Sequence, residues 1–122
     1  EIRVKGGATQ ADAKKAALAV ANSMLVKTAF FGQDANWGRI IAAIGYSGAQ
    51  VEQERVEIRF DDVVMATGGV FAGGDAEAAG TRVLQQKEFK VTIDLNIGGG
   101  EAVVYTSDLS YDYVRINADY RT

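Results

Sequence analysis

The side chains in this sequence that could do chemistry are carboxylates, amides, hydroxyls and a free chain end, because it contains neither histidine nor cysteine. That removes the commonest general base, the commonest neutral metal ligand and any thiolate nucleophile from the chain acting alone. Asp108 and Asp112 stand four residues apart, so a helix would place both on one face. Paired carboxylates of that kind could hold a cation or share acid–base work, although aspartates at a strand-to-helix junction more commonly serve as caps. Residues 111–122 carry Tyr111, Tyr113, Val114, Ile116 and Tyr120 almost to the last position, whereas chain ends are usually polar. This density predicts a tail that docks, on its own fold or on a partner. A docked tail would fix a terminal carboxylate beside Asn and Tyr donors, where it could meet a ligand or simply pack. Asn36-Trp37-Gly38-Arg39 is the third candidate: Asn36 can cap a helix, Trp37 can anchor its first turn in the core, and Arg39 can pair with a carboxylate. The glycine clusters have neither the G-x-G-x-x-G spacing nor a Lys-Ser/Thr ending, so they read as turns rather than phosphate loops. Asp61-Asp62 reads as a solvated turn, and Glu52, Glu54 and Glu57 as an exposed face.

These residues need a scaffold, and the hydropathy pattern supplies one. Residues 1–5 alternate charged and apolar, a half-buried strand ended by Gly6 and Gly7. Thr9, three residues before Asp12, resembles an N-cap. Ala13, Ala17, Val20 and Met24 then recur at helical spacing, widened by Leu18, Ala21 and Leu25, with Lys14 and Lys15 on the wet side. Residues 27–31 form a short apolar run, a strand or a buried connection. Trp37, Ile40, Ile41 and Ile44 repeat helically up to Gly45 and Gly48. Strands are expected at 56–60 and 63–66, a loop over 67–75 and a short helix over 77–86. Strands over 89–97 and 101–109 are expected to join as a hairpin through residues 98–100. The resulting fold class is α+β: a mixed, largely antiparallel sheet with two main helices packed on it.

Composition fits that scaffold. Of 122 residues, 48% are apolar and 24% charged, enough to build a core without a disordered tract. The net charge of −3, with dispersed Lys and Arg, argues against nucleic acid or an anionic membrane as partner. No apolar stretch is long enough to span a bilayer and no signal peptide precedes residue 1, so the expected location is cytoplasmic. The absence of an initiating Met, with the pattern already under way at Glu1, suggests a processed or cut product. No metal and no cofactor is expected.

Two segments together carry a family resemblance. Residues 27–45 contain Asp34-Ala35-Asn36-Trp37-Gly38-Arg39, which resembles the D-P-N-W-G-R pattern of the ornithine acetyltransferases, or glutamate N-acetyltransferases. Residues 108–122 resemble the same family's C-terminal ending, down to the final Thr122. Val4-Lys5-Gly6-Gly7 and the stretch from Glu88 through Val91-Thr92-Ile93-Asp94-Leu95 are similar as well, so the likeness covers essentially all 122 residues. Ala35 stands where the family usually has proline, which should loosen the helix entry without touching chemistry.

The resemblance implies that residues 1–122 form a single C-terminal domain, a lobe of the ornithine acetyltransferase fold within the β chain. It implies an enzyme of arginine biosynthesis made as a precursor that cleaves itself before a Thr, giving α and β chains in an α2β2 assembly. That Thr takes acetyl from N2-acetylornithine and passes it to glutamate; some members also use acetyl-CoA as donor. The nucleophile is not in this chain, so no catalytic residue is assigned here and the chain alone is expected to be inactive. Its expected partners are the α chain, the remainder of the β chain and the two small substrates. The family's substrate-contacting Asn and terminal residue match Asn117 and Thr122. The alternative reading is a non-catalytic binding or assembly module that keeps only the fold.

Overall fold

The computed structural model describes residues 1–107; Asp108, Asp112, Asn117 and Thr122 lie outside the described residues. Elements run β1 (Ile2–Gly7), α1 (Gln10–Ala21), α2 (Met24–Phe31), α3 (Trp37–Gly45), a 3-10 turn (Gln53–Arg55), β2 (Glu57–Phe60), β3 (Val63–Thr67), β4 (Val70–Phe71), α4 (Ala76–Leu84), β5 (Val91–Asp94) and β6 (Gly100–Val104). The six strands form one sheet in the order β4-β3-β2-β5-β1-β6. β1 and β5 run parallel and the other pairings are antiparallel, so the mixed, largely antiparallel α+β class holds.

Register sorts the side chains onto two faces. Ile58, Ile93, Val4 and Ala102 line up across four strands, as do Phe60, Val91, Ile2 and Val104. These rows join the buried residues of the helices in one apolar cluster. The alternate row, Arg59, Thr92 and Arg3, faces away and is laced with charge. Arg3 pairs with Glu101 at 2.6 Å and with Glu1 at 3.5 Å, and Arg59 pairs with Glu57 at 2.6 Å. The hydrogen bond to Glu101 is the main cause of the upward pKa shift of the Arg3 guanidinium. Pairs this exposed contribute little stability individually; they mark the solvated face.

Thr9 caps α1 through its hydroxyl, which accepts from the Asp12 N–H at 3.1 Å, as the sequence predicts. Three expectations are corrected. α1 stops at Ala21, and Ser23 caps a new helix by accepting from the Val26 N–H at 3.2 Å. Residues 27–31 therefore belong to helix α2, not to a strand or connection, and Met24 and Leu25 are 56% and 64% exposed at its start rather than on the buried stripe of α1. α2 thus adds one helix to the two main helices and the short one near 77–86 that the sequence predicts. The third correction concerns residues 98–100. β5 and β6 do not pair: each pairs with β1, one on either side. The glycines carry the chain across the end of β1, with the Ile97 and Gly98 N–H groups both donating to the Gly6 carbonyl at 2.8 and 2.9 Å. None of the three has a positive φ. A hairpin turn would have required glycine for its backbone angles; here the requirement is space. A Cβ on Gly98 would sit 2.8 Å from the Gly7 carbonyl oxygen, and one on Gly100 would overlap the Thr9 carbonyl.

Candidate functional site

At one end of the sheet β2 and β6 finish while β1 and β5 begin, because Phe60 pairs with Val91, Val91 with Ile2 and Ile2 with Val104. A cleft of about 730 Å³ opens there. Its floor is apolar: Ile2 and Leu84 are buried, and Phe30 meets Phe60 and Phe89 edge-on at centroid distances of 6.1 and 5.2 Å. Lys87, Glu88 and Lys90 stand exposed on its rim. Asp61 lines it too, but both carboxylate oxygens are engaged: Oδ1 accepts from the Lys90 N–H at 2.8 Å and Oδ2 from the Gln86 amide at 3.1 Å. With φ at 50°, Asp61 adopts the left-handed turn geometry that aspartate tolerates. The solvated-turn reading of Asp61-Asp62 thus holds, with Asp61 tying the end of β2 to the segment before β5.

The cleft is also where the tail leaves the sheet. Tyr105, Thr106 and Ser107 line it, and the Thr106 hydroxyl donates to the Ala21 carbonyl at 3.3 Å, fixing the departure beside the end of α1. Glu1 is held opposite, its backbone nitrogen donating to the Phe89 carbonyl at 3.1 Å and its carbonyl accepting from the Val91 N–H at 2.8 Å. Sequence reasoning singled out the far end of the tail, Asn117 and Thr122, yet not the cleft at its root. Phe30 was hidden by the strand-like look of residues 27–31, and Phe89 and Tyr105 read only as strand residues.

The Asn36-Trp37-Gly38-Arg39 candidate resolves into structure. Asn36 caps α3 by accepting from the Arg39 N–H at 3.1 Å, and its own amide donates to Asp34 at 3.2 Å. Among the described residues Arg39 pairs with no carboxylate; its guanidinium donates to the Leu25 carbonyl at 2.8 Å and the Thr28 hydroxyl at 3.3 Å, bolting α3 to α2. Trp37 is half-buried rather than fully so, stacked on Phe71 at 6.3 Å and 6°. A shallower hollow of about 450 Å³ beside this pair is edged by Asp34 and Glu77. Among the described residues no three His, Cys, Asp or Glu side chains gather where they could hold a metal ion, and no helix is long and apolar enough to cross a membrane.

Comparison with known proteins bears on the whole chain. Residues 1–122 match the ArgJ family. The arginine biosynthesis bifunctional protein ArgJ of Geobacter sulfurreducens is 74% identical over 122 residues, covering all of this chain and 31% of that protein. The protein of the same name from Syntrophotalea carbinolica is 60% identical over 121 residues, covering 99% of this chain and 31% of that protein. The chain thus spans about a third of the length of these relatives. The crystal structure of the arginine biosynthesis bifunctional protein ArgJ from Bacillus halodurans superposes with a TM-score of 0.89 at 42% identity, over 98% of this chain and 56% of that one.

Proposed function

The chain belongs to the ArgJ family, and from that premise we propose that it forms the C-terminal part of a glutamate N-acetyltransferase of arginine biosynthesis. The observation that carries this reading is the match over all 122 residues, which includes both peculiar segments, 27–45 and 108–122. The reaction would run as ping-pong acyl transfer. An N-terminal Thr hydroxyl outside this chain, activated by its own amine, attacks the acetyl carbonyl of N2-acetylornithine. The tetrahedral oxyanion is held by donors elsewhere in the enzyme, ornithine leaves with the proton on its amine, and the acetyl-Thr ester passes its acetyl to the amine of glutamate. A precursor divided into α and β chains is supported by one further comparison. The matched stretch is 31% of the Geobacter relative but 56% of the crystallised Bacillus chain, which is therefore much the shorter of the two. The α2β2 assembly, use of acetyl-CoA by the full enzyme and a cytoplasmic location belong to the same reading.

Within it, this chain supplies one wall of the substrate pocket. Asn117 offers an amide donor and acceptor to an amino-acid headgroup, and the Thr122 carboxylate meets the second ammonium group that distinguishes ornithine from most amino acids. A charge-assisted hydrogen bond contributes about 1.5–3 kcal/mol, or roughly tenfold to over a hundredfold in kcat/KM. Asn117→Ala in the intact enzyme is expected to lose activity in that range without unfolding. A Gly-Ser extension after Thr122 displaces the carboxylate and is expected to cost at least as much. An extended enzyme that matched the parent in kcat/KM for N2-acetylornithine would remove Thr122 from the site.

A further inference from the structure

We propose that the β4 edge of the sheet, where Trp37 and Phe71 line the hollow edged by Asp34 and Glu77, docks a basic segment of the same protein that lies outside residues 1–122. The apolar part of this surface is the first observation. β4 is the outermost strand of the sheet, and its two residues, Val70 and Phe71, are 64% and 42% exposed. Sheet edges are ordinarily kept from other chains by charge, proline or a covering element, and β4 itself carries neither charge nor proline. Half-buried Trp37, stacked on Phe71, extends the same apolar surface. Apolar side chains grouped in this way mark a contact.

Charge selects the partner. Asp34 and Glu77 are exposed, and no lysine or arginine lines the hollow with them among the described residues. Elsewhere Glu1, Glu52, Glu57, Asp94 and Glu101 each have a basic partner. Asp34 lies just before the Asn36 cap of α3, and Glu77 lies in the first turn of α4. A helix N-terminus carries only about half a positive charge, so part of each carboxylate's charge is left over. The Asn36 amide that donates to Asp34 is neutral and does not cancel it. An ammonium or guanidinium group gains both from a carboxylate and from an aromatic face beside it. A second copy docked by this same edge would bring the two acids against themselves, and phosphate-bearing partners are repelled for the same reason.

Reach does not limit the docking. The chain spans about a third of the length of its relatives, and on the reading proposed above the further residues precede Glu1; the docking rests on that reading. β1 lies four strands from β4, which is about 19 Å at roughly 4.8 Å per strand. About six extended residues cross that distance at 3.3–3.6 Å each.

The test maps what covers the edge in the full-length protein. The photoreactive residue p-benzoylphenylalanine replaces exposed Val70, the protein is illuminated, and linked peptides are identified by mass spectrometry. The expected result is a link to a peptide of the same protein, outside residues 1–122, that contains lysine or arginine. Glu77→Lys, in a variant whose circular dichroism matches the parent, is expected to lower the yield of that link at least fivefold. A link to residues 1–122 of a second copy, a link to a peptide without a basic residue, or no link at all would overturn the proposal. So would a yield that Glu77→Lys leaves unchanged. The intact mass of the same preparation shows separately whether residues precede Glu1, so the docking and the reading it rests on fail by different measurements.

Discussion

Replacing Gly100 with alanine tests the crossing of β6 over the start of α1 more sharply than any other single change. The added methyl would overlap the Thr9 carbonyl and lie 2.9 Å from the Gln10 nitrogen. Both obstacles are backbone, and both belong to the capped first turn of α1, so neither can rotate away as a flexible side chain would. Overpacking in a filled interior costs about 1–3 kcal/mol, sometimes more, and an immovable obstacle places Gly100→Ala at the upper end, about 3 kcal/mol. For a chain of this size that lowers Tm by roughly 10–15 °C. Gly99 supplies the internal control. Nothing lies within 4 Å of its virtual Cβ and its φ is not positive, so Gly99→Ala should fall within about 0.5 kcal/mol of the parent, or slightly above it through a stiffer unfolded chain. The assay is urea and thermal denaturation of the two variants side by side, followed by circular dichroism. A hairpin at residues 98–100 would make the central Gly99 the sensitive position and leave Gly100 tolerant. If Gly100→Ala stays within 0.5 kcal/mol of the parent, or Gly99→Ala proves the more damaging, the packing argument fails.

Three further outcomes follow from the described geometry. Trp37→Ala should cost about 2 kcal/mol, below the roughly 3–5 kcal/mol of a fully buried ring, because Trp37 is half-buried against Phe71; in the intact enzyme KM for N2-acetylornithine should not move, and a stable variant with much weaker binding would make Trp37 a ligand contact. Asn36→Ala removes the cap bond to Arg39 and should cost about 1 kcal/mol, whereas Asn36→Asp, which keeps an acceptor, should recover most of it; equal stability of all three by denaturation would remove the cap from the account. The 122-residue chain by itself, incubated with N2-acetylornithine and glutamate, should yield neither ornithine nor N-acetylglutamate; turnover that survives repurification would show that the nucleophile lies within it.

The sequence discloses what each segment is more readily than what it lies beside. Alternation at Ile2 and Val4, or Ile58 and Phe60, reports a strand and its buried face, because side chains of a strand point to opposite sides in turn. It does not report the neighbour, so β5 and β6 looked like a hairpin when each is in fact paired to β1. Local chemistry was readable where one residue acts on its own backbone, as with the caps Thr9 and Asn36. It was misread over residues 27–31, where Thr28, Phe30 and Phe31 suggest a strand by composition; the Ser23 cap is the signal that would have placed α2. Arg39 could be expected to find an anion, yet no spacing rule tells that its partner is the Leu25 carbonyl, fourteen residues back. Of the candidate site, the sequence offered the tail's composition and its resemblance, and the cleft at its root emerges only from topology.

That topology has a consequence for how a tail could serve a substrate pocket. With β5 and β6 on either side, β1 is an interior strand, hydrogen-bonded along both edges. Glu1 is therefore fixed by Phe89 and Val91, not left at a fraying edge. β6 in turn lies at the sheet's border against α1, so the chain leaves it beside Ala21 and over the cleft. Had β6 paired with β5 instead, it would have occupied the place of β1 or β2 in the sheet, and Thr106 could not have met the end of α1. The glycines at 98–100 are what allow the crossing, since any side chain at Gly100 would collide with the Thr9 backbone. A substitution far from any substrate, at Gly100, would then shift the root of the tail. On the proposed reading, kcat/KM should therefore fall in whatever fraction of Gly100→Ala remains folded.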